Sequence, residues 1–357
     1  GPIHLNIPFE EPLYSLDRIK EKIKIESINP FSSSIVVDPE IEIPDSNFPL
    51  IVCGRLPMGF DSTLIIELSS YLNAPILADP LSQIRYGESH PNIVSSYNYF
   101  LKLKKISPDL VIRVGQKPVS KILCEKLDQW NDFTVLIDAC GRFNDDSKLI
   151  LSEKIERAIA FIKSKVTPSE LTWRNEIINF DAQIKQSIKE NYLDNWFEGG
   201  IAKVCFDSVN GGDSFFIGNS MPIRDVDMFV PTSEKNIHTY SNRGASGIDG
   251  IISSALGVAS KSVGNTLLLI GDLSFYHDMN GLLAASRYNI NLTIVVVNNS
   301  GGGIFSFLPI YEEKGKSFDE FWSTIHDLDF SHAAKLYNCN YEKVDSIQSL
   351  NKALSEC

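Results

Sequence analysis

The stretch that decides the fold runs from residue 266 to residue 299 and reads TLLLIGDLSFYHDMNGLLAASRYNINLTIVVVNN. It contains two short apolar runs, Leu267–Ile270 and Leu292–Val297, separated by enough chain for one helix. A strand, a helix and a second strand in this order predict neighbouring parallel strands. Gly-Asp follows the first run and Asn-Asn follows the second. Both pairs would therefore lie at the carboxyl-terminal edge of one sheet, where open α/β sheets bind their ligands.

The polar residues behind these strands form a candidate metal site. Asp272 and Asn299 lie 27 positions apart and offer a carboxylate and an amide oxygen, and the turn 300–303 can add a backbone carbonyl. Three such oxygens suit Mg²⁺, which completes its coordination shell with phosphate oxygens and water. An alternative stays open, because Gly-Asp and Asn-Asn are also ordinary strand-to-helix turns with capping residues.

The remainder of the chain repeats the alternation of strand and helix. This pattern predicts an α/β fold with doubly wound parallel sheets. Predicted strands are Leu50–Cys53, Pro75–Leu77, Leu110–Val114, Phe133–Ile137, Ser214–Ile217 and His238–Tyr240. Predicted helices cover about residues 61–72, 120–127, 247–258 and 278–288. A charged helical stretch at 151–200 follows the first series, with Thr167 or Ser169 as the expected cap of its helix.

Composition excludes several classes of protein. The chain has 357 residues with a formal net charge of −12, so it lacks the basic balance of a nucleic-acid or anionic-membrane binder. Its apolar runs are far too short to span a bilayer. Six scattered cysteines without a C-x-x-C predict free thiols in a reducing compartment rather than disulfides or a zinc site.

Several ordered segments together resemble one family of thiamine-diphosphate enzymes. They are Gly218–Asp225, Ser241–Gly250, Gly271–Leu282 and Gly301–Pro309, supported by Gly1–Pro12, Ala78–Ser82 and His326–Phe330. The family they resemble is MenD, the 2-succinyl-5-enolpyruvyl-6-hydroxy-3-cyclohexene-1-carboxylate synthases of menaquinone and phylloquinone synthesis. The resemblance extends over nearly the whole chain.

The resemblance implies a transferase reaction. In it, 2-oxoglutarate is decarboxylated on thiamine diphosphate with Mg²⁺ or Mn²⁺, and the succinyl-semialdehyde carbanion is added to isochorismate. It also implies a homodimer or homotetramer, in a bacterial cytoplasm or a plastid stroma, with no nucleic-acid partner and no membrane segment. Another thiamine-diphosphate decarboxylase, an acetolactate-synthase-like enzyme and a non-catalytic cofactor-binding scaffold stay open as alternatives.

The resemblance assigns roles to particular residues of this chain. The implied substrate-binding residues are Ser220, Arg224, Arg243 and Lys121. The implied cofactor-binding residues are Ile248, Gly271, Asp272, Leu273, Ser274, Asn299, Gly301, Ile304, Phe305 and Leu308. The implied metal ligands are Asp272, Asn299 and Gly301. Each assignment has an ordinary structural alternative: a surface ion pair for the arginines, a solvated lysine for Lys121, and plain packing for the apolar residues.

The resemblance also implies a domain division. Residues 1–15 would be the tail of a pyrimidine-binding domain, residues 16–165 a middle domain and residues 166–357 a diphosphate-binding domain without its last strand. The glutamate that activates the cofactor in this family would lie upstream of Gly1. We therefore expect no catalytic residue within this chain, and no activity from the chain alone.

Overall fold

A six-stranded parallel sheet forms the first half of the molecule. The computed structural model describes residues 43–356 except 44, 89, 139–148, 152–153, 193 and 314–317. The strands of the first sheet are β1 (Pro49–Cys53), β2 (Ile76–Ala78), β3 (Ile93–Val94), β4 (Leu110–Val114), β5 (Thr134–Ile137) and β6 (Leu149–Leu151). They are ordered β3-β2-β1-β4-β5-β6, and every pair is parallel.

Helices cover both faces of this sheet. They are α1 (Thr63–Leu72), α2 (Tyr97–Leu103), α3 (Lys121–Gln129), α4 (Ile155–Lys165) and α5 (Leu171–Asn191). In β1, Ile51 and Cys53 pack with α1 and α4, whereas Leu50 and Val52 pack with α2, α3 and α5. Because alternate residues of a strand point to opposite faces, a sheet covered on both faces needs strands that are apolar throughout.

A second parallel sheet follows, with four strands. These are β7 (Ser214–Ile217), β8 (His238–Tyr240), β9 (Thr266–Gly271) and β10 (Thr293–Val297), ordered β10-β9-β7-β8. Its helices are α6 (Glu198–Ser208), α7 (Met221–Phe229), α8 (Ile251–Ala259), α9 (Asp272–Asp278), α10 (Leu282–Tyr288), α11 (Ser331–Leu336) and α12 (Ile347–Ser355). Phe215 and Ile217 of β7 pack with α6, α7 and α12, and Phe216 packs with α8 on the other face. The predicted fold class is therefore confirmed.

Some predicted boundaries are wrong, for local reasons. Gly250 has a φ of 67°, so α8 begins at Ile251 rather than near residue 247. The helix predicted from 278 starts earlier, as α9 at Asp272, and a 3-10 turn at Met279–Gly281 separates it from α10. Neither predicted cap is used at α5, because the hydroxyl of Ser169 donates to the carbonyl of Leu72 (2.8 Å).

The other expectations about organisation have mixed outcomes. The predicted tail at 1–15 lies outside the described residues, and the boundary at residue 165 stays a prediction. Helix α5 packs against the first sheet, where Trp173 Nε1 donates to the carbonyl of Pro49 (2.9 Å). The four cysteines in the described part of the chain are free thiols, as predicted. Among the described helices, none has the length and apolar character required to cross a membrane.

Candidate functional site

Asp272 lies where β9 ends and α9 begins. The register of the sheet pairs Val297 of β10 with Gly271 of β9, so the Gly-Asp and Asn-Asn pairs leave adjacent strands at the same level. Asp272 is buried, and its Oδ1 accepts from the amide of Leu273 (2.6 Å). Its Oδ2 accepts from the amide of Gly301 (3.0 Å). The structure thus brings together two of the three predicted metal ligands.

Asn299 presents its amide group at the same edge. Its Nδ2 donates to Glu198 Oε1 on α6 (2.8 Å), which orients the amide. Within the described ranges, no hydrogen bond reaches Asn299 Oδ1. The carbonyl of Gly301 accepts from the amide of Gly303 (3.1 Å), which leaves it a second lone pair. Both oxygens are therefore able to coordinate a cation.

His326 is a further polar group at this carboxylate, to which the sequence analysis assigns no role. Its Nε2 lies 3.2 Å from Asp272 Oδ2, is buried, and makes no hydrogen bond of good geometry with any described residue. Its Nδ1 accepts from the amide of Leu328 (3.3 Å). A buried polar atom without a satisfied partner indicates a place suited to an additional polar ligand.

The donor set favours a hard cation. In the part of the chain that the structure describes, no group of three or more His, Cys, Asp and Glu side chains could hold a metal. A site here must use one carboxylate with amide and carbonyl oxygens, which suits Mg²⁺ better than Zn²⁺. The residues present fit a magnesium ion that also binds phosphate oxygens.

Arg224 and Ser220 form one unit at the end of β7. Arg224 Nη1 donates to the carbonyl of Ser220 (2.6 Å), and burial lowers the pKa of the Arg224 guanidinium. Ser220 has a φ of 71° and a ψ of −128°, a conformation that a residue with a Cβ rarely adopts. Strained backbone of this kind is concentrated at functional sites.

Arg243 lies in the loop after β8 and is held by Asn219. Arg243 Nη1 donates to Asn219 Oδ1 (3.1 Å), and Asn219 Nδ2 donates to the carbonyls of Asn242 and Gly247 (both 2.7 Å). Burial, and then the charge of Arg224, lower the pKa of Arg243. Two half-buried guanidinium groups thus repel each other, and a bound anion would relieve that repulsion.

A cavity of about 350 Å³ opens beside Arg243. The loop 241–249 lines it from the second sheet, and Arg55 lines it from the loop after β1. Among the described residues, none forms a hydrogen bond or ion pair with the Arg55 guanidinium.

Sequence reasoning missed Arg55, although a charged residue directly behind an apolar strand was a usable signal. Asn219 and Glu198 were also missed, because their importance depends on contacts distant in sequence.

The comparison with protein families covers three of the four strands of the second sheet, β8, β9 and β10. Residues 228–357 match the family model described as "Thiamine pyrophosphate enzyme, C-terminal TPP binding domain". Residues 228–357 are thus similar to a thiamine-pyrophosphate-binding domain. Within this domain, the implied pair Asp272 and Asn299 follows the adjacent strands β9 and β10.

The chain is also similar to several curated proteins with one name, 2-succinyl-5-enolpyruvyl-6-hydroxy-3-cyclohexene-1-carboxylate synthase. It is 36% identical to the protein of Bacillus cytotoxicus, covering 100% of this chain and 64% of that protein. It is 36% identical to the protein of Geobacillus thermodenitrificans, covering 96% of this chain and 61% of that protein. It is 36% identical to the protein of Listeria innocua, covering 100% of this chain and 65% of that protein. The chain thus spans somewhat less than two thirds of the length of these relatives.

The other implied cofactor residues of the thiamine-pyrophosphate-binding domain lie around this edge. Leu273 and Ser274 are on the first turn of α9, and Ile248 is half-buried in the loop before α8. Ile304 and Phe305 are in a 3-10 turn at Gly303–Phe307, where the Phe305 ring meets Trp322 edge-on at 5.6 Å. Leu308 follows this turn and is 38% exposed. These assignments stay predictions.

Lys121 belongs to the first sheet rather than to this domain. It is the exposed first residue of α3, behind β4, and Ser120 caps that helix by accepting from the amide of Leu123 (3.1 Å). Its predicted role in substrate binding therefore requires a site that both sheets share.

Proposed function

We propose that this chain is part of a 2-succinyl-5-enolpyruvyl-6-hydroxy-3-cyclohexene-1-carboxylate synthase. With thiamine diphosphate and Mg²⁺ or Mn²⁺, the whole protein would decarboxylate 2-oxoglutarate and add the remaining four-carbon unit to isochorismate. One observation carries this proposal: the oxygens of the predicted metal ligands behind β9 and β10 share an edge of the sheet with the arginines behind β7 and β8. The similarity to the curated synthases supports the same reaction.

The chain's residues would divide the work between cofactor and substrates. Asp272, Asn299 and Gly301 would hold the cation and, through it, the diphosphate. Bound thiamine diphosphate supplies an electron sink for cleaving a bond next to a carbonyl carbon. The residues of this chain would anchor the cofactor and orient the substrates beside it.

The cations of the site match the charge of the substrates. Both 2-oxoglutarate and isochorismate carry carboxylates, and an arginine binds a carboxylate through two parallel hydrogen bonds. We propose that Arg224 and Arg243, with the neighbouring Ser220, bind these carboxylates. Lys121 would bind a further substrate carboxylate. The lowered pKa values of the two arginines support an anionic ligand at this place, because a bound carboxylate would stabilise both charges.

The test is an assay of the full-length gene product with 2-oxoglutarate and isochorismate. We expect carbon dioxide release and a coupled product, both dependent on thiamine diphosphate and Mg²⁺. Coupling of two pyruvate molecules in preference would indicate an acetolactate-synthase-like enzyme instead. Cofactor binding without turnover of any 2-oxo acid would indicate a non-catalytic scaffold.

We further propose a homodimer or homotetramer, in a bacterial cytoplasm or a plastid stroma, acting in quinone biosynthesis. Exposed apolar side chains on α9 and α10 support a self-association surface: Tyr276 is 49%, Leu283 61% and Tyr288 66% exposed. Light scattering of the purified protein would measure its mass directly, and a monomer at micromolar concentration would contradict this proposal.

A further inference from the structure

A buried carboxylate, Asp227 on α7, joins the second sheet to elements of the first. Its side chain is 2% exposed, and its Oδ1 lies 2.9 Å from Arg85 Nη1. The Tyr97 hydroxyl donates to the same Oδ1, and Asn98 Nδ2 donates to Oδ2 (2.7 Å). Arg85 follows β2, and Tyr97 and Asn98 lie on α2. Three donors from the first sheet's elements therefore converge on one residue of α7.

The same network continues to the start of α3. The hydroxyl of Ser120 donates to Asn98 Oδ1 (2.5 Å) while it accepts from the amide of Leu123 (3.1 Å). Asp79 Oδ2, behind β2, accepts from the amide of Val119 (2.7 Å). The two residues before Lys121 are thus fixed by two separate buried side chains.

Helix α7 carries Arg224 one turn before Asp227. Because a hydrogen-bonded helix moves as a unit, fixing Asp227 also fixes the backbone of Arg224. The Arg224 guanidinium is in turn held by the carbonyl of Ser220. Asp227 is therefore linked to Arg224 through its own helix and to Lys121 through Asn98 and Ser120.

We infer that Asp227 is a positioning residue which, through Asn98 and Ser120, holds Lys121 and Arg224 at a fixed separation across the two sheets. This inference rests on the proposed function, in which both cations bind substrate carboxylates. A dicarboxylate binds most tightly to two cations whose spacing is set before it arrives. In that case the side chains lose less conformational freedom on binding. Breaking an ion pair that only stabilised the fold would lower the stability of the protein without changing its selectivity among ligands.

The first test removes the hydroxyl of Ser120. Ser120→Ala loses both the link to Asn98 and a helix cap, so Ser346→Ala is the matched control: Ser346 caps the equally long α12, and its side chain bonds to Ser349 rather than to the network. Calorimetry on the chain with Mg²⁺ should show about tenfold weaker binding of 2-oxoglutarate in Ser120→Ala, because the spacing of the two cations is then no longer set before binding. Binding of thiamine diphosphate should stay within about twofold, Ser346→Ala should change neither affinity, and Ser120→Thr should restore the parent value.

A second variant separates this inference from the proposed function. Asn98→Ala leaves the cap of α3 in place but breaks the link, and hydrogen exchange should then become faster in both 118–124 and 220–229. If the parent binds 2-oxoglutarate and neither variant weakens it, Asp227 has no positioning role. If the parent chain binds none, hydrogen exchange alone decides the inference, and the assay of the full-length gene product still decides the proposed function. Faster exchange in both segments supports the link, and unchanged exchange overturns it.

Discussion

Asp272 is the residue on which cofactor binding should depend most. It is buried, only 3% exposed, and is the one carboxylate among the three predicted metal ligands. Asp272→Ala should abolish Mg²⁺-dependent binding of thiamine diphosphate, because the diphosphate charge would be less neutralised. Calorimetry with and without Mg²⁺ measures this, and Asp278→Ala, at the other end of α9, is the control. Unchanged affinity in Asp272→Ala would remove the metal assignment.

Arg243 should depend on the shape of its guanidinium as well as on its charge. Arg243→Lys keeps the charge but cannot present two parallel donors, and a charge-assisted hydrogen bond contributes about 1.5–3 kcal/mol. We expect kcat/KM of the full-length protein to fall by about tenfold to a hundredfold, with cofactor affinity unchanged. Arg157→Lys, at an exposed position on α4, should behave like the parent. Parent-like kinetics in Arg243→Lys would make Arg243 a structural residue.

Asp225 should make stability depend on pH. Burial, and then the nearby Glu198, raise the pKa of Asp225 to about 8, although Arg224 opposes this. A carboxyl whose pKa is raised in the folded state stabilises that state when protonated. The contribution of Asp225 to folding stability is complete below about pH 4, the pKa of an aspartate in the unfolded chain. It is lost as the pH rises through about 8, the pKa of Asp225 in the folded protein.

Asp225→Asn removes this titration. Between pH 5 and pH 9, the free energy of unfolding of the variant should rise relative to the parent by at least about 1.4 kcal/mol, the value of one pKa unit. Urea unfolding at both pH values measures it, with Asp194→Asn at an exposed position as the control. A parent–variant difference that does not change with pH would contradict the raised pKa.

At the scale of elements, the loop after β10 requires a glycine at 301. Gly301 has a φ of 151°, and a Cβ there would lie 2.5 Å from the carbonyl oxygen of Ser323. Gly301→Ala should displace the amide that reaches Asp272 and weaken cofactor binding at least about tenfold, with a loss of about 1–3 kcal/mol in unfolding free energy. Gly211→Ala, where a Cβ meets open space, is the control, and equal cofactor affinity in both variants would show that this loop plays no part.

The sequence predicted elements well where long apolar runs recur and poorly where the structure depends on distant contacts. The runs of β4 and β9 were visible because both faces of each strand are buried. Strand β3 has only two residues, too few to show any periodicity. The start of α8 depends on the positive φ of Gly250, and the absence of a cap at α5 depends on the bond between Ser169 and Leu72. Neither is encoded in a local pattern.

In the candidate site, too, the residues that follow a local pattern were predicted and those that depend on distant contacts were not. Asp272 and Asn299 follow apolar strands, so their residue types and spacing were informative. Asp227 could not be predicted, because Arg85 is 142 positions away and only the fold brings the two together. Arg55 likewise enters the cavity from the other sheet.

For the whole molecule, we expect the 357-residue chain to release no carbon dioxide from 2-oxoglutarate, even with thiamine diphosphate and Mg²⁺. The curated relatives are longer, since the chain covers only 61–65% of the three compared above, and the resemblance assigns the activating glutamate to residues upstream. A coupled assay of the purified chain beside the full-length protein measures this. Turnover near the full-length rate would mean that an activating carboxylate lies within these residues.

The separation of strands from loops has a consequence for how such a protein can change over generations. The strands and their covering helices use apolar side chains on both faces, while the candidate ligands Ser220, Arg243 and Gly301 stand in loops. On the proposed function, a mutation in the loop at Ser220 or at Arg243 would alter which acid is accepted without disturbing the packing beneath it. New specificities can thus arise by exchanging short surface segments, while Asp227 and its partners keep the two halves aligned.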